Sequence, residues 1–162
     1  SKLMRILGID PGLRIAGYGC VEFNPPSPSP KPIEAGAIKL KQVESTSSRL
    51  KTLFENITEV IQDIKPDIIA VETVFTHKDR VSTATILGYA RGVILLAGEQ
   101  ASLELIEITP AEIKKSVTGN GRATKEQVQH SVQNILHLAE PPNPSDVADA
   151  LAIAITAGLR YI

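Results

Sequence analysis

The sequence predicts an α/β fold in which a mixed β-sheet of five strands carries helices on its faces. The first part of the chain alternates short apolar runs with turn residues, which is typical of an antiparallel meander. The rest alternates helical periodicity with short, continuously apolar runs, as parallel strands covered by helices do. No internal repeat is visible, and 162 residues suffice for one sizeable core. We therefore expect a single domain over residues 1–162.

Three strands are predicted at the start of the chain. Residues 4–10 form an apolar run that ends at a Pro-Gly turn, and residues 15–23 form a second run that pairs with the first. Residues 24–32 are rich in proline and serine, which indicates a surface loop. A third strand is predicted over residues 33–40.

Two helix-strand pairs follow. Apolar residues at steps of three and four predict an amphipathic helix that Pro66 ends. These apolar residues are Leu50, Leu53, Phe54, Ile57, Val60, Ile61 and Ile64. Residues 67–72 then form a buried strand. A second helix is predicted over residues 80–100 and a fifth strand over residues 103–108.

The last third of the chain is predicted to be helical. Thr109 precedes a proline and stands three residues before Glu112, a pattern typical of a capped helix start. Thr124 repeats this pattern with Gln127. A final helix is predicted to begin near Ser145, after a proline-rich break.

Composition excludes some classes of protein. The formal net charge of −1 favours no partner, yet it is compatible with nucleic-acid binding if basic residues cluster locally. The single cysteine, Cys20, cannot form a disulfide within the chain, and we expect it to be a buried strand residue. No apolar run is long enough to span a bilayer, and the first residues lack a signal-peptide core. We therefore expect a cytoplasmic protein.

Four acidic residues lie beside apolar segments. Asp10 and Glu72 end predicted strands, and Asp146 and Asp149 begin the last helix at a spacing that places them on one face. A carboxylate at the edge of a buried element is costly unless a charged group meets it. If the first and fourth strands are parallel neighbours, Asp10 and Glu72 emerge at the same sheet edge, where ligand sites form in α/β sheets. This pattern suggests a shared divalent metal.

Oxygen ligands of this kind suit Mg²⁺, and Mn²⁺ as a substitute. Four carboxylates can hold two ions about 3.5–4 Å apart, an arrangement that promotes phosphodiester hydrolysis. The alternative for each acidic residue, taken singly, is a structural role. Asp10 would then cap a turn, Glu72 would end a strand in solvent, and Asp146 would cap a helix.

Five segments resemble the RuvC-type Holliday junction resolvases. Residues 8–19 (GIDPGLRIAGYG) resemble the first motif of that family and residues 71–75 (VETVF) the second. Residues 90–92 (ARG) and 119–130 are similar to the segments that follow. Residues 145–154 (SDVADALAIA) resemble the last motif. The segments occur in the family's order over nearly the whole chain.

The resemblance implies an RNase H-like fold, with three antiparallel strands followed by two parallel ones and helices on both sides. It implies a homodimer that cuts two strands of a four-way DNA junction in recombination and repair, working with a branch-migration complex. The metal-binding and catalytic carboxylates then correspond to Asp10, Glu72, Asp146 and Asp149.

The resemblance also implies DNA contacts. It assigns a base-contacting role to Phe75 and phosphate contacts to Lys114 and Lys125. The local cluster of basic residues adds Arg122 and Lys78 as candidate phosphate contacts. The alternatives are a core position for Phe75 and a solvated helix face for the cations.

Three other functions stay open on the residues alone. One is an RNase H-like nuclease that acts on another structured nucleic acid, such as an RNA–DNA hybrid. Another is a non-catalytic junction-binding protein in which the carboxylates are structural. The third is an actin-like phosphotransferase, because an Asp-x-Gly turn after a strand also faces nucleotide phosphates.

Overall fold

The computed structural model describes residues 2–73 and 81–162, and it contains a mixed sheet of five strands in the order β3-β2-β1-β4-β5. The strands are β1 (Met4–Asp10), β2 (Ile15–Phe23), β3 (Lys31–Lys39), β4 (Ile68–Glu72) and β5 (Glu104–Ile108). β1, β2 and β3 pair antiparallel, whereas β4 is parallel to β1 and β5 is parallel to β4. The predicted sheet is therefore confirmed.

The third strand begins two residues earlier than the sequence predicted. Lys31 pairs with Glu22 and Pro32 with Val21, beyond a register shift in β2. Proline has no backbone N–H to donate to a neighbouring strand. It is tolerated here because β3 is an edge strand, with no strand on its outer side. The proline-rich surface loop consequently ends at residue 30.

The structure contains five helices in its described part. They are α1 (Thr46–Ile64), α2 (Val81–Gln100), α3 (Pro110–Thr118), α4 (Lys125–Ile135) and α5 (Ser145–Leu159). Both predicted threonine caps are present: the hydroxyl of Thr109 accepts from the backbone N–H of Glu112 at 3.2 Å, and Thr124 forms a reciprocal capping box with Gln127. None of the helices described is both long enough and apolar enough to cross a membrane.

Each face of the sheet has its own apolar core. One core packs α3, α4 and α5 against side chains such as Ile6 of β1, and the other packs α1 and α2 against Leu7 and Ile9 of the same strand. Cys20 lies buried in the second core, as expected. The alternation along β1 is what a strand covered on both faces requires.

Close packing of α5 on the sheet depends on two glycines. A Cβ added to Gly8 of β1 would collide with the backbone carbonyl of Ala150, and one added to Gly17 of β2 would collide with that of Asp146. Glycine is needed because the helix backbone approaches the strands so closely. The first turns of α5 are thus held directly over the end of β1.

Candidate active site

Three elements bring the acidic residues to one edge of the sheet. β1 and β4 are parallel neighbours in which Ile9 pairs with Val71, so Asp10 and Glu72 follow at the same edge. α5 places Asp146 and Asp149 over that edge through its contact with Gly17. The predicted neighbourhood of β1 and β4 is confirmed.

Asp10 lies between two clefts. The first cleft encloses about 380 Å³ and is lined by Asp10, Glu72 and Asp149 together with two lysines, Lys114 and Lys125. The second cleft encloses about 750 Å³ and contains Asp10 again, now with Asp146. The two aspartates of α5 therefore face different clefts, and Asp10 is common to both.

Burial and neighbouring carboxylates raise the pKa values of Asp10, Glu72 and Asp149. Burial, followed by the negative charges of Asp149, Asp146 and Glu72, raises the pKa of Asp10 to about 8. Burial and Asp149 likewise raise the pKa of Glu72. Such a group of acids favours either bound protons or a bound cation.

Lys125 partly balances this negative charge. Its Nζ lies 3.1 Å from Oδ2 of Asp149, and this carboxylate raises the pKa of the lysine. In return Lys125 lowers the pKa of Asp149, although burial is the larger influence and the net direction is upward. Lys114 likewise lowers the pKa of Glu72, although burial and Asp149 have the larger, opposite effect. Both lysines that the resemblance singled out thus belong to the carboxylate cleft.

Arg91 of α2 holds the strand end that carries Glu72. Its Nη1 donates to the backbone carbonyl oxygen of Glu72 at 2.5 Å, and its Nη2 lies 2.7 Å from Oε1 of Glu107 on β5. The sequence analysis assigned no role to Arg91. The only available signal was its position in the segment of residues 90–92 that resembles the family.

The donor set fits a hard divalent cation. All four acids offer oxygen, and a positive ion relieves the rise that burial and neighbouring carboxylates cause in the pKa values of Asp10, Glu72 and Asp149. With the side chains as they stand in residues 2–73 and 81–162, no three His, Cys, Asp or Glu residues form a group that could hold a metal ion. Lys125, rather than a third acid, is the partner that Asp149 contacts.

The other three residues predicted to contact DNA lie outside the described residues or outside the lining of the two clefts. Phe75 and Lys78 lie outside the described residues. Arg122 is exposed in the turn between α3 and α4, where its backbone N–H donates to Oδ1 of Asn120 at 2.9 Å. Arg122 is absent from the lining of both carboxylate clefts.

Comparison with known proteins agrees with this architecture. The sequence model of the crossover junction endodeoxyribonuclease RuvC family matches residues 6–157. The RuvC endonuclease of Halothermothrix orenii is 46% identical, covering 98% of this chain and 94% of its own length. That of Desulforamulus reducens is 44% identical, covering 94% and 91%.

Solved structures extend the agreement to three dimensions. Thermus thermophilus RuvC in complex with a Holliday junction substrate superposes with a TM-score of 0.90 at 32% identity, covering 98% of this chain and 94% of that one. The RNase H-like fold is thereby confirmed. By its sequence and its sheet topology, the chain belongs to the RuvC family of crossover junction endodeoxyribonucleases.

Proposed function

We propose that this protein is a metal-dependent endonuclease that resolves four-way DNA junctions by paired strand incision. The observation that carries the proposal is the first cleft, in which Asp10, Glu72 and Asp149 share a wall with two lysines. Membership of the RuvC family supports the junction as substrate, since a relative has been solved with a Holliday junction. The all-oxygen donor set supports phosphodiester hydrolysis.

Asp10, Glu72, Asp146 and Asp149 are the residues that we propose as metal ligands. Magnesium, or manganese in its place, supplies Lewis acidity and a more acidic water when bound, and four carboxylates suffice for two ions. Asp10 is central because it lines both clefts. In hydrolysis the water loses a proton as its oxygen bonds to phosphorus, the bond from phosphorus to one deoxyribose oxygen breaks, and that oxygen takes up a proton.

Lys114 and Lys125 are the residues that we propose as phosphate contacts. Both line the cleft beside the carboxylates, where a scissile phosphate has to lie. An acidic site alone repels DNA, so cations at its rim are needed to bring the backbone close. Lys125 is already drawn to Asp149 by charge and can exchange this partner for a phosphate oxygen.

A homodimer across α2 fits a substrate with two-fold symmetry. The exposed side of α2 is unusually apolar: Ile86, Tyr89 and Leu96 are 44%, 51% and 52% exposed. Cβ atoms added to Gly88 and Gly92 would meet nothing within 4 Å, which leaves room for a second helix.

Two further proposals rest on the family resemblance. A branch-migration complex is a partner of the protein. Residues 1–162 act as one nuclease domain.

Cleavage of a synthetic four-way junction tests the proposed chemistry. Asp149→Asn should abolish incision in Mg²⁺ while junction binding persists, because binding depends on the cations of the protein rather than on this acid. Asp63→Asn makes the same chemical change on the exposed part of α1 and should leave incision intact. Full incision by Asp149→Asn would refute the assigned mechanism.

Comparison of substrates tests the proposed specificity. The junction should be cut in Mg²⁺ far faster than linear duplex DNA or an RNA–DNA hybrid of matched sequence. Equal cutting of all three would favour a less selective nuclease. Failure to cut any junction sequence in Mg²⁺ or Mn²⁺, with tight junction binding, would favour a non-catalytic junction-binding protein.

Sedimentation tests the homodimer. Tyr89→Glu should shift the protein from dimer to monomer, because a charge buried in an apolar interface is costly. Val43→Glu offers a matched control, since Val43 lies in a loop and is 95% exposed. A dimer that resists Tyr89→Glu would place the interface elsewhere.

A further inference from the structure

The second cleft is lined by both acidic and basic side chains. It opens between the turn after β1, the start of α1 and the first half of α2. Asp10 and Asp146 lie at its acidic side, and among the described residues they are the only carboxylates in its lining. Arg14, Gln42 and Arg49 contribute cationic and amide groups to the same cleft. Two arginines are thus brought beside the catalytic carboxylates.

Arg49 fixes the turn that carries Arg14. The Nη1 of Arg49 donates to the carbonyl oxygen of Leu13 at 3.0 Å and lies 3.3 Å from Oε1 of Gln42. Gln42 donates to the same carbonyl at 3.0 Å. The Nε of Arg49 is buried and has no hydrogen-bond partner in the part of the chain that is described. The hydrogen bonds of Arg49 therefore hold the turn, and Arg49 forms no ion pair with an acid of residues 2–73 or 81–162.

Arg14 extends from this turn into solvent. Its side chain is exposed, and its guanidinium forms no ion pair with an acid of residues 2–73 or 81–162. The first turn of α1 contains no acidic residue, although Glu44 precedes the helix and accepts a hydrogen bond from the Ser48 hydroxyl at 3.1 Å. The guanidinium of Arg14 is consequently available to an external anion.

We propose that the second cleft binds a phosphodiester group of the DNA strand, with Arg14 as the contacting residue and Arg49 as the residue that positions its turn. This inference rests on the proposed nuclease function. A strand whose scissile phosphate lies at Asp10 has neighbouring phosphates on both sides, and Asp10 separates the two clefts. Lys114 and Lys125 serve one side, and Arg14 serves the other.

The salt dependence of junction binding tests this contact. Binding is measured with Ca²⁺ in place of Mg²⁺, because Ca²⁺ is larger and takes a different ligand number than Mg²⁺, which should slow cleavage. Loss of one phosphate contact should reduce the slope of log K against log salt by about 0.9. We expect that reduction for Arg14→Gln, together with severalfold weaker binding at low salt. Arg14→Lys, which retains the charge, should restore most of the slope.

Lys51→Gln is the matched control. Lys51 is an exposed cation of α1 that pairs with Glu55 and does not line the cleft, so its loss removes the same charge from elsewhere. A slope for Arg14→Gln equal to that of Lys51→Gln, in a protein that binds the junction, would overturn the inference and leave the proposed function intact. Absence of junction binding by the unmodified protein would overturn both.

Discussion

Arg91 donates a hydrogen bond to the backbone carbonyl oxygen of Glu72 at 2.5 Å, so a helix without any of the four acids holds a strand end that carries one. The same guanidinium lies 2.7 Å from Glu107, and the arginine side chain is only 13% exposed. The backbone N–H of Thr73 also donates to the carbonyl oxygen of Ile108 at 2.8 Å. The end of β4 is therefore fixed from both α2 and β5.

Replacement of Arg91 should reduce the cleavage rate and the apparent affinity for Mg²⁺ while the protein stays folded. A hydrogen bond from a charged group is worth about 1.5–3 kcal/mol, so Arg91→Ala should slow junction cleavage about tenfold or more. Because the displaced group is the carboxylate of Glu72, the Mg²⁺ concentration for half-maximal rate should rise. Arg91→Lys should recover part of both effects.

A double-mutant cycle with Glu107→Ala separates this role from general packing. If Arg91 acts as a unit with Glu107, the two substitutions together should cost little more than Arg91→Ala alone. Measurement of rate against Mg²⁺ concentration for all four proteins gives the coupling. An unchanged Mg²⁺ requirement in Arg91→Ala would contradict the positioning role.

Loss of the Lys125 charge should affect metal and DNA binding in opposite directions. The lysine competes with a cation for Asp149, because its Nζ lies 3.1 Å from that carboxylate. Its side chain is largely exposed, so the competition is worth less than about 1 kcal/mol. Lys125→Gln should therefore bind Mg²⁺ about twofold to fourfold more tightly in calorimetry, yet bind and cleave the junction less well.

Lys115→Gln provides the comparison for Lys125→Gln. Lys115 is an exposed cation of α3 outside the lining of the first cleft. Its loss should leave Mg²⁺ affinity unchanged. Weaker Mg²⁺ binding by Lys125→Gln would show that the lysine supports the metal site instead of competing for it.

Local patterns in the sequence predicted the carboxyl ends of β1 and β4 correctly. Asp10 and Glu72 follow continuously apolar runs, and such runs mark strands that are covered on both faces. The four acids could be chosen from the sequence because strand ends and a helical spacing of three are local properties. The threonine caps at Thr109 and Thr124 were predictable for the same reason.

Long-range relations were not predictable from these patterns. The bond from Arg91 to Glu72 joins residues 19 positions apart on different elements. The spacing of Asp146 and Asp149 indicated one helix face, but it could not show that the two side chains line different clefts. The separation arises because α5 crosses the sheet directly above Asp10, and that crossing depends on tertiary packing against Gly17.

Substitution of Gly17 should damage both stability and activity. A Cβ at this position would collide with the backbone carbonyl of Asp146, so Gly17→Ala forces α5 away from the sheet. Overpacking of this kind costs about 1–3 kcal/mol, and denaturant unfolding should report it. Cleavage should fall further than stability predicts, because Asp146 and Asp149 move with the helix.

Gly121→Ala is the control for that substitution. A Cβ at Gly121 would meet the carbonyl oxygen of Ala111 at 3.8 Å, which is ordinary contact, and this residue has no positive φ. Its stability should stay within about 0.5 kcal/mol of the parent protein. Equal stability of Gly17→Ala and Gly121→Ala would disprove the close approach of α5.

The raised pKa of Asp10 should make stability depend on pH in the absence of metal. In the folded protein its pKa is about 8, whereas the ordinary value is 3.8. Between these values the folded state retains a proton that the unfolded state has released, so this contribution to stability is greatest below about pH 4 and is lost as the pH rises through 8.

The substitution Asp10→Asn removes this pH dependence. In EDTA the variant should therefore match the parent near pH 4 and melt at higher temperature at pH 9, since a pKa difference of one corresponds to about 1.4 kcal/mol. Saturating Mg²⁺ should reverse the order at pH 9, because only the parent has the complete ligand set. A difference in melting temperature that is constant with pH would contradict the assigned electrostatics.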